Sequence, residues 1–123
     1  MRIKAILVLF GFAFVLSFCN TKDCYHLPET FSSYEEAVKE VKHSNFIFEE
    51  SINTSKSSWI RGAVYYSCDK KQGYLIIKTD SKEYIYQNVP IEIWKQFRKA
   101  GSFGSFYTKN IKGNYQLTNL APE

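Results

Sequence analysis

The 123-residue chain is poor in the residue types from which most chemistries are assembled, with two histidines, three cysteines and no Cys-x-x-Cys pair. His26 and His43 stand 17 residues apart, so the spacing of a structural metal site is missing. A dense basic surface is missing as well. The formal net charge is +4, and it falls to +2 once the leader described below takes Arg2 and Lys4 with it. That is too little to support nucleic-acid binding by electrostatics. The chain also lacks an apolar run of about 20 residues, the length a bilayer-crossing helix needs.

The longest apolar run, Ala5 to Phe18, spans 14 residues and follows Arg2 and Lys4. Positive charge before a short hydrophobic segment is the layout of a secretion signal, so residues 1–18 are read as a signal peptide and the protein as exported. No polar face interrupts the run, which argues against a half-buried helix or strand. Removing residues 1–18 from the 123 leaves 105, enough for one domain with a modest core. Aromatic residues make up 17% of the chain, and the segments that carry them are patterned for folding rather than disorder.

Leu16-Ser17-Phe18-Cys19 resembles a bacterial lipobox, in which a small residue precedes a cysteine that is lipidated and becomes the new N-terminus. Phe18 is bulky and departs from that pattern. Two outcomes therefore stand: lipidation of Cys19, giving a membrane-anchored envelope lipoprotein, or ordinary cleavage near Cys19 or Asn20, giving a soluble periplasmic or secreted domain. With Cys19 lipidated, Cys24 and Cys68 remain as a candidate disulfide in an oxidising compartment. The alternative is two separate thiols, because spacing alone does not place their Cα atoms at bonding distance.

Residues 19–31 are polar, aperiodic and contain Pro28, and are read as a linker. Residues 32–56 follow as an extension of one helix and one strand. Ser33 and Glu36 can cap a helix running from about Ser33 to His43. Its face carries Tyr34, Ala37, Val38 and Val41, and Glu35 and Lys39 can pair on the other side. Phe46 to Ile52 alternates weakly as a strand. Trp59 to Cys68 and Tyr74 to Thr79 are rich in β-branched and aromatic residues and form a hairpin across a turn at Asp69 to Gly73. Glu83 to Val89 adds a third strand, with Tyr84, Tyr86 and Asn88 on one face and Ile85, Gln87 and Val89 on the other. Pro90 can open a helix ending at Gly101, with Ile93, Trp94, Phe97 and Ala100 as its stripe. Phe103, Phe106, Tyr107 and Ile111 repeat the helical spacing from about Ser102, and Tyr115 to Leu120 is read as a last short strand. The fold class is α+β: an antiparallel meander of three to four strands, packed by C-terminal helices and preceded by an extra helix and strand.

From about Ser57 to Leu117 the chain resembles the KTSC domain, a module found at the C-terminus of some lysyl-tRNA synthetases. The matching features run in order: Ser57-Ser58-Trp59-Ile60, Tyr65-Tyr66, Leu75-Ile76-Ile77, then Tyr84-Ile85-Tyr86 with Val89-Pro90 and a helix bearing Trp94. Ala100, Ser102, Gly104, Phe106-Tyr107 and Ile111 complete the pattern. Residues 57–120 are accordingly assigned as the domain. The family has no established activity. The resemblance implies only RNA binding, proposed from the synthetase context, and an export signal removes the protein from tRNA. Lys70, Lys71, Lys78 and Lys82 gather at the hairpin, but Asp69, Asp80 and Glu83 dilute them, as on a solvated, charge-protected edge.

No Ser/His/Asp, Cys/His or paired-carboxylate arrangement stands out, and Asp69 and Asp80 occupy turns where Asp bonds locally. Tyr84 and Tyr86, with Asn88, are the candidate binding residues; the alternative is that the rings pack beneath the Trp94 helix as core. The expectation is a non-enzymatic exported envelope protein whose domain binds a protein, peptide or polymer and which meets the membrane only through a lipid at Cys19. A nucleic-acid module and a small hydrolase using Cys68 or a carboxylate pair are the alternatives. No cofactor is implied.

Overall fold

The computed structural model describes residues 22–120; the segment read as a signal peptide and Cys19 lie outside the described residues. Four strands form an antiparallel meander in the order β3-β4-β5-β6: β3 Phe48–Ile52, β4 Gly62–Ser67, β5 Gln72–Lys78 and β6 Glu83–Pro90. Successive side chains on a strand point to opposite faces, and here both faces are buried. Ala63, Tyr65, Leu75, Ile77 and Tyr86 face one way, while Val64, Tyr66, Ile76 and Ile85 face the other.

The first face is closed by chain that follows the sheet. Helix α2, Ile91–Arg98, lays Trp94 and Phe97 on it, and the short helix α3, Phe103–Phe106, runs into a widened π-type turn at Tyr107–Ile111. Trp94 stacks on Tyr65 with planes 10° apart, and Tyr65 donates from its hydroxyl to the carbonyl of Val89 at 2.7 Å. Trp94 in turn donates from Nε1 to Glu50 on β3 at 2.7 Å, and the same carboxylate oxygen accepts from Arg98 at 2.6 Å. Pro90 closes β6 rather than starting the helix, and its φ of −59° directs the chain straight into α2.

The second face is closed by α1, Tyr34–Lys42. Ser33 accepts from the Glu36 amide at 3.1 Å, and Ala37, Val38 and Val41 are buried. Tyr34, expected on that apolar stripe, is 48% exposed. Nor do Glu35 and Lys39 pair across the solvent side: among the described residues neither forms an ion pair.

The segment read as a linker is fastened to the body as far as the description reaches. Lys22–Asp23 (β1) pairs in parallel with Ser44–Asn45 (β2), and Cys24 is joined to Cys68 by a disulfide with Cα atoms 6.0 Å apart. Phe31 is buried and donates from its amide to the Asn119 carbonyl at 2.9 Å. Polar composition hid this segment because it is held by a buried ring, a crosslink and scattered hydrogen bonds, not by a periodic face. The expected last strand is reduced to isolated bridges, Tyr86 with Gln116 and Phe31 with Leu120.

The alternation along β6 also breaks. A register shift opposite Gly73 and Leu75, with Asn88 at φ 55°, inserts a bulge that turns Val89 onto the Trp94 face, away from Ile85. Gly73 is required there: a Cβ at this position would sit 2.1 Å from the Tyr66 carbonyl oxygen.

Candidate functional site

A groove of about 790 Å³ follows the outer edge of β6. That volume is in the usual range for ligand sites. One wall is α1, contributing Tyr34, Val38 and Lys39; the other is the chain after α3, contributing Tyr107, Lys112 and Leu117. Tyr84, Ile85 and Tyr86 make the floor, and they can share it because an edge strand shows side chains of both its faces to the groove.

Tyr86 and Tyr107 are 6% and 5% exposed, and their hydroxyls form a short hydrogen bond with each other. Burial raises both phenols above their usual value, so both keep their protons at neutral pH. Lys82 extends its ammonium over the Tyr84 ring, 4.7 Å from the centroid, and Lys42 forms an ion pair with Glu83. Lys39 and Lys112 carry no ion pair among the described residues, and Glu35 is the one groove carboxylate without one. The rim is therefore net cationic.

The candidate residues separate. Tyr84 and Tyr86 share the groove, but Tyr86 is also core, packed against Tyr107 rather than beneath Trp94. Asn88 is exposed and lines a different hollow beside Cys24 and Cys68, because the bulge turns it away. Tyr34, Val38, Lys39, Tyr107, Lys112 and Leu117 were missed as groove residues. The spacing of Tyr107 placed it on a helix face, yet no local signal brings that face to the edge of β6.

The residues considered for catalysis are occupied otherwise. Cys68 is bonded to Cys24, His43 contacts the Lys39 carbonyl through Nδ1 at 2.7 Å, and His26 is exposed in a short 3-10 turn. Asp69 accepts from the amides of Lys71 and Gln72 at 2.8 and 3.0 Å, which holds its carboxyl below the usual range; Asp80 pairs with Arg61 at 3.0 Å.

One close approach ties the connection between β3 and β4 to α3. A Cβ on Gly104 would lie 2.5 Å from Trp59 Nε1, so glycine lets the indole sit against the helix, where it also meets the Tyr107 ring. This gives the Ser102-x-Gly104-x-Phe106 turn its physical basis, with Ser102 capping the Ser105 amide at 3.2 Å. The family model of the KTSC domain matches residues 56–115. This stretch is a KTSC domain. The crystal structure of KTSC domain protein YPO2434 from Yersinia pestis is 27% identical, covers 60% of this chain and all of that one, and superposes with a TM-score of 0.48. No curated protein matches the chain. The KTSC match contains β4, β5, β6, α2 and α3, whereas α1 and β3 precede it. The groove thus lies at the seam between the KTSC domain and the N-terminal extension.

Proposed function

We propose that the chain is a non-enzymatic exported protein of the cell envelope whose KTSC domain and N-terminal extension together form a binding site along β6. The observation that carries this reading is the groove itself: a partly apolar, net cationic trough with a buried hydroxyl pair in its floor. Export is supported by Arg2 and Lys4 ahead of the apolar run Ala5 to Phe18, and the Cys24–Cys68 disulfide fits an oxidising compartment. Cys19 at the end of that run is the candidate lipid attachment point. A hydrolase reading loses its nucleophile to the disulfide, and an RNA-binding reading meets lysines at the hairpin interspersed with Asp69, Asp80 and Glu83.

Affinity capture from envelope fractions with the wild-type protein and the Lys39→Glu/Lys112→Glu variant tests the site. Both lysines are exposed, so the charge reversal leaves the core untouched. Capture lost in the variant at unchanged melting temperature supports the groove; equal capture by both proteins refutes it. Tyr86→Ala is unsuitable for this purpose because it opens the core. An intact-mass measurement of the envelope form tests Cys19: a diacylglyceryl-sized increment identifies a lipoprotein, and an unmodified N-terminus identifies a soluble domain.

A further inference from the structure

β6 is the end strand of its sheet, pairing with β5 on its inner side alone. Its outer side is met by the C-terminal chain at one place, where Gln87 donates its amide to the Tyr115 carbonyl at 2.9 Å and Tyr86 bridges Gln116. In an antiparallel strand the amide and carbonyl of alternate residues point to the same side. Those of Glu83 and Ile85 therefore point outward with those of Gln87; the antiparallel Tyr86–Gln116 bridge sets Leu117 opposite Ile85, and beyond it, at the Glu83 end of β6, no strand pairs among the described residues. An unprotected edge of this kind is a template for a further strand.

Three features of the groove select what that strand would carry. Val38, Ile85 and Leu117 are buried residues that reach the groove, so they offer apolar contact to every second side chain of an extended segment. The Tyr86–Tyr107 pair holds two hydroxyl protons and spends one on its internal bond, which leaves one donor for an incoming oxygen. Among the described residues, Lys39 on one wall and Lys112 on the other have no carboxylate partner, whereas Glu83 is already paired with Lys42.

Resting on the groove reading above, we propose that the ligand is an acidic peptide segment of another protein, bound in extended form as an added strand at the Glu83 end of β6. Its apolar side chains on the α1 side lie on Val38 and Ile85, one carboxylate at the rim of that wall meets Lys39, and a carboxylate on the opposite side meets Lys112.

The test uses the purified protein and labelled peptides of about six residues, a usual strand length, alternating valine with either glutamate or lysine. The glutamate peptide is expected to bind, to slow amide hydrogen exchange at Glu83, and to bind about tenfold or more weakly to Lys39→Glu/Lys112→Glu, equivalent to about 1.4 kcal/mol. Equal binding of the lysine peptide overturns the proposal, as does binding without exchange protection on β6. Preference for an oligonucleotide or for dodecyl phosphate over the glutamate peptide overturns it too. Failure of the glutamate peptide while envelope capture still depends on Lys39 and Lys112 removes the peptide class and leaves the groove reading standing. Capture indifferent to both lysines removes both.

Discussion

The two faces of the sheet are closed in different ways. On the Trp94 face the covering helices follow the sheet in sequence, joined by Ile60 from the β3–β4 connection, and the layer is built from large rings: Tyr65, Tyr86, Trp94, Phe97, Phe103 and Tyr107. On the Val41 face the cover comes from both ends of the chain, with α1 and Phe31 before the sheet and Leu117 and Leu120 after it, and its buried helix residues are Ala37, Val38 and Val41. The first face lies almost wholly inside the KTSC match; the second depends on residues outside it. The larger buried rings thus lie where the chain is locally continuous, and the larger losses on truncation are expected there. The groove forms where the layer outside the KTSC match meets the layer inside it at the edge of β6.

The sharpest way to break this comparison is Trp94→Ala. It removes the stack on Tyr65 and the bond to Glu50, and should cost about 3–5 kcal/mol in urea denaturation. Next, replacing Cys24 and Cys68 with serine frees the start of the extension. The bond closes a sequence separation of 44, and its loss is expected to cost about 2–4 kcal/mol by the same measurement. Val41→Ala on the second face should cost about 2 kcal/mol. A cost equal to that of Trp94→Ala would show that the two layers bear equal weight.

Alkaline titration sharpens the comparison further. Burial, then the charges of Glu49 and Glu83, push the Tyr66 phenol up to about 12 on the α1 face; burial also raises Tyr65 and Tyr86 on the other. A phenol whose folded pKa exceeds its usual 10.0 stabilises the fold fully below pH 10, and that contribution is lost as the pH rises through the folded value. Stability should therefore fall between about pH 10 and 12, and Tyr66→Phe should flatten part of that slope. Smallest of all, Asp80→Asn removes an exposed ion pair with Arg61 and should change the unfolding midpoint by an amount equivalent to less than about 0.5 kcal/mol.

Much of this architecture was legible in the residues. The Ser33 cap, the Ala37-Val38-Val41 stripe, the strands around Tyr65, Ile76 and Tyr84, and the Trp94-Phe97 helix all follow from periodicity and capping, because each depends on near neighbours. The packing of residues 22–31 was not legible, since one ring, one crosslink and a short strand pairing hold a polar segment without any repeat. The candidate site was half legible. Tyr84 and Tyr86 were identified on β6, but Asn88 was grouped with them through an alternation that a bulge interrupts. The opposite walls, Val38 and Lys39 on α1 and Lys112 and Leu117 near the C-terminus, are brought together by tertiary packing across more than 70 residues.

The bulge between Tyr86 and Val89 also fixes how the hairpin can assemble. β5 supplies a glycine at only one position, Gly73, and β6 supplies its left-handed residue at only one, Asn88. A regular pair of strands can slide by two residues and still bury the same kinds of side chain. Here such a slide would press a side chain into the backbone that Gly73 lies against, and would carry Asn88 away from the kink it accommodates. The irregularity works as a notch: it penalises misaligned pairings during assembly and leaves one seating for β6, and with it one position for the edge that borders the groove.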